Sequence, residues 1–175
     1  MRRKEFDQAV FYFNLPDNSR VGTPDDPGDG SQREFEAELN GVWAHLMLGR
    51  WTMFLSAEGR RYSQSGYGAI LEFLALYGRD ATTAWAHLNS VRLPKTPGWP
   101  DKLVMLYRGE IKSAALIAEA KTPLELTEAH THIGLKSLIA DDREEATKHL
   151  TWVSINGDRS SLIYDLAAAE LKRIK

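Results

Sequence analysis

The sequence predicts an all-α protein in which helical hairpins stack into an array. Three observations support this fold class. Apolar residues recur at helical spacing along most of the chain, short turn segments separate these stretches, and one hairpin is repeated 62 residues later. The chain has 175 residues, 43% of them hydrophobic and 26% charged, which is the composition of a globular domain large enough to bury a core.

The clearest hairpin spans residues 127–153. Its first helix carries apolar residues at roughly helical spacing, at Ile133, Leu135, Leu138 and Ile139. Asp142 is the predicted N-cap of the second helix, and the carboxylates that follow it suit the positive end of the helix dipole. Ala146 and Leu150 lie on one face of this second helix. We expect the two helices to approach closely where Gly134 and Ala146 face each other.

This hairpin has a second copy earlier in the chain. Residues 84–91 and 146–153 both read A-x-x-H-L-x-x-V, an offset of 62 residues. The same offset aligns Arg79-Asp80 with Asp141-Asp142 in the turn. In the first helix it pairs Leu71 with Ile133, Phe73 with Leu135, Leu76 with Leu138, and Tyr77 with Ile139. Self-similarity of this kind is typical of a stacked helical array.

The N-terminal part of the chain is predicted to hold a helix and a linker. Residues 1–15 carry an apolar stripe that includes Phe6 and Phe13. This helix is either a lone element that packs on the array or the second half of a hairpin that begins before Met1. Residues 16–31 are rich in Pro, Gly and Asp and are the predicted linker. We expect the helix to dock into an apolar groove of its own chain or of a second copy, which would give a homodimer.

Residues 32–175 form the predicted helical repeat domain. Prolines break the helical pattern after the first copy of the hairpin, and Trp99-Pro100 marks the next helix start. We expect the last helix to turn Leu162, Leu166, Ala169 and Ile174 towards the array. The remaining predicted elements are a hairpin between residues 31 and 63, helices at 103–107 and 113–120, a helix that begins at Pro123, and a last helix capped by Ser160 or Ser161.

Composition argues against several classes of function. The net charge of −2 predicts no nucleic-acid partner. The absence of cysteine removes disulfides, thiolate metal sites and cysteine nucleophiles. No apolar run approaches ~18 residues, so no membrane span is predicted. Residues 1–4 are basic like a signal peptide, but Glu5 and Asp7 interrupt any apolar segment. As given, the chain is predicted to be cytoplasmic, or periplasmic if an export signal was removed.

Catalytic and metal-binding motifs are missing from the sequence. It contains no G-x-S-x-G, no P-loop and no H-E-x-x-H. His130 and His132 form H-x-H, but residues two apart on a helix point to different sides and cannot share one metal ion. His87 and His149 occupy equivalent repeat positions beside core leucines, which favours a packing role. We therefore predict no enzyme activity, no cofactor and no metal site.

The main hairpin resembles the tetratricopeptide repeat (TPR). Gly134, Ala146 and Leu150 stand where that repeat carries a small residue in its first helix and an Ala-x3-Phe pattern in its second. The sequence departs from the repeat where the latter has Trp, Leu and Tyr, because His130, Ile133 and Ser137 stand there. In arrangement the whole chain also resembles bacterial proteins with a few degenerate TPRs, periplasmic lipoproteins among them. The sequence segments that show this resemblance are Trp99-Pro100 and residues 106–111 and 169–173.

The resemblance implies an α-α superhelix, or solenoid, of TPR-like hairpins that serves as a scaffold for protein or peptide partners and catalyses nothing. In that family the first helices of the hairpins line the inner face. Carried over to this chain, the candidate partner-binding residues are Ala69, Phe73, Leu76, Glu128, Thr131, Leu135 and Leu138. One alternative is an enzyme or small-ligand binder with a pocket among Trp43, Trp51, Trp85 and Trp99. Another is a structural subunit of a larger assembly.

Overall fold

Helices make up all the regular structure in the part of the chain that the computed structural model describes, residues 66–175. No strand occurs within this range, which confirms the all-α prediction. None of its helices is long and apolar enough to cross a membrane. The predicted N-terminal helix, linker and first hairpin lie outside the described residues. The helices are α1 (Gly66–Tyr77), α2 (Ala81–Ser90), α3 (Trp99–Arg108), α4 (Ser113–Glu119), α5 (Pro123–Ile139), α6 (Arg143–Asn156) and α7 (Leu162–Ile174).

The two related hairpins have the same N-cap in their second helices. The Asp80 carboxylate accepts a hydrogen bond from the backbone N–H of Thr82 at 2.9 Å and begins α2. Asp142 accepts from the N–H of Glu145 at 3.0 Å and begins α6. The 62-residue offset therefore holds at the level of capping. The turn before α6 is tight because Asp141 adopts a left-handed conformation (φ 59°), which aspartate tolerates better than most residues.

Proline and capping residues set the beginnings of α3 and α5. α3 begins at Trp99, with Pro100 in its first turn, and α5 begins at Pro123, as the sequence predicts. Thr122 and Glu125 form a reciprocal capping box at α5. The Thr122 hydroxyl accepts from the Glu125 N–H at 3.1 Å, and the Glu125 carboxylate accepts from the Thr122 N–H at 3.0 Å. This cap fixes the start of the helix that carries most of the buried polar groups.

The helices α1, α3 and α5 run parallel and lie side by side. A Cβ atom at Gly66 would lie 2.4 Å from the backbone carbon of Pro100, so α1 and α3 touch at their N-terminal ends. Seven residues further along both helices, the rings of Phe73 and Tyr107 lie 5.2 Å apart. The Lys136 ammonium of α5 donates to the Leu106 carbonyl of α3 at 2.5 Å. α2 packs on α1, α4 on α5, α6 on α5, and α7 on both α5 and α6.

Close contact within the α5/α6 hairpin depends on Gly134. A Cβ atom at this position would lie 2.8 Å from Cγ of Leu150. Ala146 and Leu150 are fully buried, as the sequence predicts for Ala146. Ala84 and Leu88 occupy the equivalent positions of the α1/α2 hairpin and are also fully buried. The hairpins thus share their packing positions in the second helix.

The last helix turns most of its predicted face towards the core. The predicted orientation is confirmed for Leu166, which is buried, and for Leu162 and Ile174, which are half-buried and pack against the core. It is wrong for Ala169, which is exposed. The buried face also includes Ile163, Ala167 and Leu171, because α7 packs against both α5 and α6.

Candidate functional site

Buried polar side chains are concentrated on the first half of α5. The buried polar residues of the described chain are Thr127, Glu128, His130, Thr131, His132 and His149. The hydroxyls of Thr127 and Thr131 donate to carbonyls one turn back in their own helix, each at 2.8 Å. The Thr127 hydroxyl also accepts from the backbone N–H of Asp158, in the loop between α6 and α7, at 2.8 Å. The buried polar groups that join one helix to another are the carboxylate and the imidazoles.

Glu128 links the N-terminal ends of three helices. The indole N–H of Trp99 in α3 donates to Oε2 of Glu128 at 2.5 Å, and the Tyr67 hydroxyl of α1 donates to the same oxygen at 3.0 Å. Burial raises the pKa of Glu128, while the two donated hydrogen bonds act in the opposite direction. Burial also raises the pKa of Tyr67, so its hydroxyl keeps the proton that it donates. Within residues 66–175, no lysine or arginine forms an ion pair with this carboxylate.

His132 points from α5 towards α3. Its Nδ1 atom shares a hydrogen bond of 3.1 Å with the Tyr107 hydroxyl, and the two rings meet edge to face at 5.8 Å. Burial lowers the pKa of His132 to about 3, so the imidazole is neutral at pH 7. Burial raises the pKa of Tyr107, which keeps the phenol protonated. The pair is a neutral hydrogen bond in the interior between α3 and α5.

His130 points to the other side, towards α6. Its ring stacks on Trp152 with centroids 3.7 Å apart and planes tilted by 9°. Its Nδ1 atom lies 2.9 Å from Nδ1 of His149, and Nε2 of His149 lies 2.9 Å from Oε1 of Glu145. Burial, followed by the charges of His149 and Lys148, lowers the pKa of His130 to about 4. These side chains form one hydrogen-bonded chain from the surface carboxylate to the buried ring.

The α1/α2 hairpin contains a related pair. His87 is the counterpart of His149 at the 62-residue offset, and its Nε2 atom lies 3.5 Å from Oε2 of Glu72. The carboxylate comes from a different place in each hairpin. Glu145 lies one turn before its histidine in the same helix, whereas Glu72 belongs to α1 and is the counterpart of Gly134. Both hairpins thus place an acid beside this histidine, but His149 forms a hydrogen bond with its acid, whereas Nε2 of His87 and Oε2 of Glu72 have no hydrogen-bond partner within residues 66–175.

The predicted partner-binding residues lie mostly in the interior. Ala69, Phe73 and Thr131 are fully buried, and Glu128 and Leu135 keep 8% of their surface exposed. Leu76 and Leu138 are half-buried and are the members of the set that offer appreciable surface. The burial means that a partner would meet few of these side chains directly. Their role in partner binding stays a prediction.

The tryptophans proposed for a ligand pocket have separate roles in the described chain. Trp85 packs on Phe73, with ring centroids 4.8 Å apart, and on the edge of Tyr77. Trp99 donates its hydrogen bond to Glu128. Trp43 and Trp51 lie outside the described residues. The pocket among the four tryptophans stays a prediction.

The contacts that join the buried histidines to their partners could not be predicted from the sequence. The prediction that His130 and His132 lie on different sides of α5 is confirmed, because the two rings contact different helices. The E-x-x-x-H spacing of Glu145 and His149 is readable from the sequence, since residues four apart share a helix face. Contacts across helices depend on how the helices are rotated and have no local signal. Within residues 66–175, no group of three or more His, Asp or Glu side chains is arranged to hold a metal ion.

Comparison with known proteins does not assign this chain to a group. No protein-family model, no curated protein and no solved structure matches it. The arrangement of helices and side chains in residues 66–175 is therefore the basis for any functional conclusion.

Proposed function

We propose that this chain is a scaffold that binds a protein or peptide partner on a short array of TPR-like hairpins. The observation that carries the proposal is the order of packing. The first helices of three successive hairpins, α1, α3 and α5, lie parallel and in contact, and α7 follows α5. Each second helix packs against the first helix of its own hairpin, and the N-caps of α2 and α6 are related by the 62-residue offset. Successive stacking of this kind is the plan of a helical solenoid.

The buried polar groups support a structural rather than a chemical role. Glu128 joins α1, α3 and α5, His132 joins α3 and α5, and His130 joins α5 and α6. Each of these side chains forms a hydrogen bond with a neighbouring helix. Such bonds hold the array in one register, which a scaffold needs, whereas catalysis needs groups directed at a substrate.

The partner surface that we propose begins at Leu76 and Leu138. They occupy equivalent positions in the α1/α2 and α5/α6 hairpins, both on first helices, and both are half-buried. A solenoid presents equivalent positions along one continuous surface, so an extended partner would meet them in turn. Apolar side chains at such positions would anchor the partner, and the polar residues around them would add specificity.

A photo-crosslinking residue at position 138 tests this proposal in the full-length chain. We expect it to capture a protein from a lysate of the source organism, while the same residue at Ala86, an exposed position on α2, captures it weakly or not at all. With the purified partner, Leu138→Asp and Leu76→Asp should each weaken binding by about tenfold or more, and Ala86→Asp should not. Equal capture from both positions, or unchanged affinity in both leucine variants, would contradict the proposed surface.

A thermal-shift screen against metabolites separates this function from small-ligand binding. A scaffold for proteins should show no large shift with any single small molecule. A shift of many degrees with one metabolite would contradict the scaffold, because a ligand that binds only the folded state raises the melting temperature by mass action.

A further inference from the structure

The partners of His149 fix the protons in the histidine pair. Hydrogen bonds from Lys148 and His149 lower the pKa of Glu145, so its carboxylate is ionised and can only accept. Nε2 of His149, 2.9 Å away, therefore carries a hydrogen. A neutral His149 then has a lone pair at Nδ1, and the 2.9 Å contact with His130 requires that Nδ1 of His130 carries a hydrogen. Nε2 of His130 is left with a lone pair.

The surroundings of the pair contain few other charges. Glu145 and Lys148, both of α6, are the ionisable groups that interact with the two rings. From α3, α4 and α7, no titratable side chain forms a hydrogen bond or ion pair with either ring. Trp152 covers one face of the His130 ring. Among the described residues, Nε2 of His130 has no hydrogen-bond partner, and the residue stays 8% exposed.

We propose that Glu145, His149 and His130 form a proton switch that controls the hydrogen bonding of His130 at the edge of the α5/α6 hairpin. One proton arrives at Nε2 of His130. The hydrogen on Nδ1 of His130 moves along the 2.9 Å hydrogen bond to Nδ1 of His149. His130 remains neutral but is now protonated at Nε2, and His149 becomes an imidazolium ion between His130 and the Glu145 carboxylate.

The position of Glu145 explains why the charge stops at His149. An imidazolium beside a carboxylate is stabilised by the opposite charge, whereas a charge on His130 would have to be held in the interior without a carboxylate. The lowered pKa of His130 agrees with this, because burial disfavours its charged form. The stack on Trp152 can persist in both states, since His130 is neutral in both.

The switch changes what the hairpin edge can bind. With the pair neutral, Nε2 of His130 accepts a hydrogen bond and suits a hydroxyl or amide N–H of a partner. After proton uptake, the same atom donates and suits a carbonyl or carboxylate. This control goes beyond the scaffold role, because it requires only the histidine pair and can be measured without any partner.

Nitrogen-15 NMR of the histidine rings in the full-length chain tests the switch directly. Long-range proton–nitrogen spectra distinguish a protonated ring nitrogen from one with a lone pair, and His130→Gln and His149→Gln assign the signals. We expect His130 to be protonated at Nδ1 at pH 8. On acidification, His130 should change to the Nε2-protonated form in step with double protonation of His149. Protonation of His130 at Nε2 already at pH 8, a fixed His130 tautomer while His149 gains its proton, or charging of His130 before His149 would overturn the proposal.

Glu145→Gln adds a matched comparison with Glu144→Gln. Both residues lie in the first turn of α6, but only Glu145 contacts His149. Loss of this carboxylate should lower the pH of proton uptake by the pair by about 1 unit or more, since an opposite charge in contact shifts titration by that amount. Glu144→Gln should leave it near the wild-type value. Equal shifts in the two variants, or no shift in Glu145→Gln, would show that Glu145 does not hold the charge and would overturn the switch.

Discussion

Replacing Gly134 with alanine tests how closely α5 and α6 approach, because two effects of opposite sign compete at this position. Glycine in a helix interior is less favourable than alanine by about 0.8–1 kcal/mol, so helix propensity alone predicts that Gly134→Ala stabilises the protein. The added Cβ atom, however, would lie 2.8 Å from Cγ and 2.9 Å from Cδ2 of Leu150. Leu150 is fully buried, and Cγ is not the flexible end of its side chain, so it cannot easily move aside.

The steric effect should decide the outcome. Overpacking of a well-packed interior costs about 1–3 kcal/mol, and subtraction of the propensity gain leaves a net loss of about 0–2 kcal/mol. Urea unfolding of the wild type and of Gly134→Ala, followed by circular dichroism, measures the difference in the free energy of unfolding. A gain of about 1 kcal/mol, the value that propensity alone predicts, would refute the close approach of the two helices.

A double-mutant cycle with Leu150→Ala assigns the effect to this contact. Leu150→Ala alone should cost about 2–5 kcal/mol because it leaves a cavity. In the double variant the Cβ of residue 134 has room, so Gly134→Ala should now be neutral or stabilising. The coupling energy between the two substitutions should be about 0.5–3 kcal/mol, as for residues in contact. Additive effects of the two substitutions would show that the destabilisation by Gly134→Ala does not come from the contact with Leu150.

Three further predictions follow from the buried side chains. Ala146→Trp should lower the free energy of unfolding by about 1–3 kcal/mol or more, because Ala146 is fully buried at the α5/α6 contact, and an unchanged melting temperature would contradict this position. Glu128→Leu should lower the free energy of unfolding by about 1–3 kcal/mol because the Trp99 and Tyr67 donors lose their acceptor. Glu128→Gln keeps an acceptor oxygen and should therefore cost less in the same urea titration. Stability should fall as the pH drops below about 6.5, because the unfolded chain takes up a proton that buried His132, with its pKa lowered to about 3, does not accept. The free energy of unfolding measured at pH 7, 6 and 5 should show this slope against pH. His132→Gln should reduce the slope by up to about 1.4 kcal/mol per pH unit. An unchanged slope in this variant would contradict a neutral buried His132.

Local chemistry explains the parts of the fold that the sequence predicts well. Asp142 caps α6 and Pro123 begins α5 because capping and proline geometry depend only on neighbouring residues. The burial of Ala146 follows from the same kind of pattern, since a small residue within an apolar stripe marks a contact between helices. The similarity to the hairpin 62 residues earlier predicts the same helices independently of this local pattern. Because the local pattern and the internal similarity agree, the helices of the main hairpin could be predicted from the sequence.

Contacts between helices explain the parts that could not be predicted. Tyr67 and Trp99 both donate to Glu128, although they lie 61 and 29 residues before it in the chain. Their meeting requires that α1, α3 and α5 are parallel and rotated correctly, and no short pattern specifies this. The full width of the buried face of α7 could not be predicted for a related reason. Ile163, Ala167 and Leu171 are buried beside the predicted Leu166 because α7 packs against both α5 and α6.

The two hairpins differ in how an acid meets the equivalent histidine. At the position of Gly134 the helices α5 and α6 touch, so no side chain fits there and the acid for His149 must come from elsewhere. It comes from Glu145, one turn earlier in α6, whose Oε1 lies 2.9 Å from Nε2 of His149. In the α1/α2 hairpin the equivalent of Gly134 is Glu72, whose Oε2 lies 3.5 Å from Nε2 of His87 without forming a hydrogen bond. Of these two hairpins, the one without glycine at this position is therefore the one whose acid comes from the first helix.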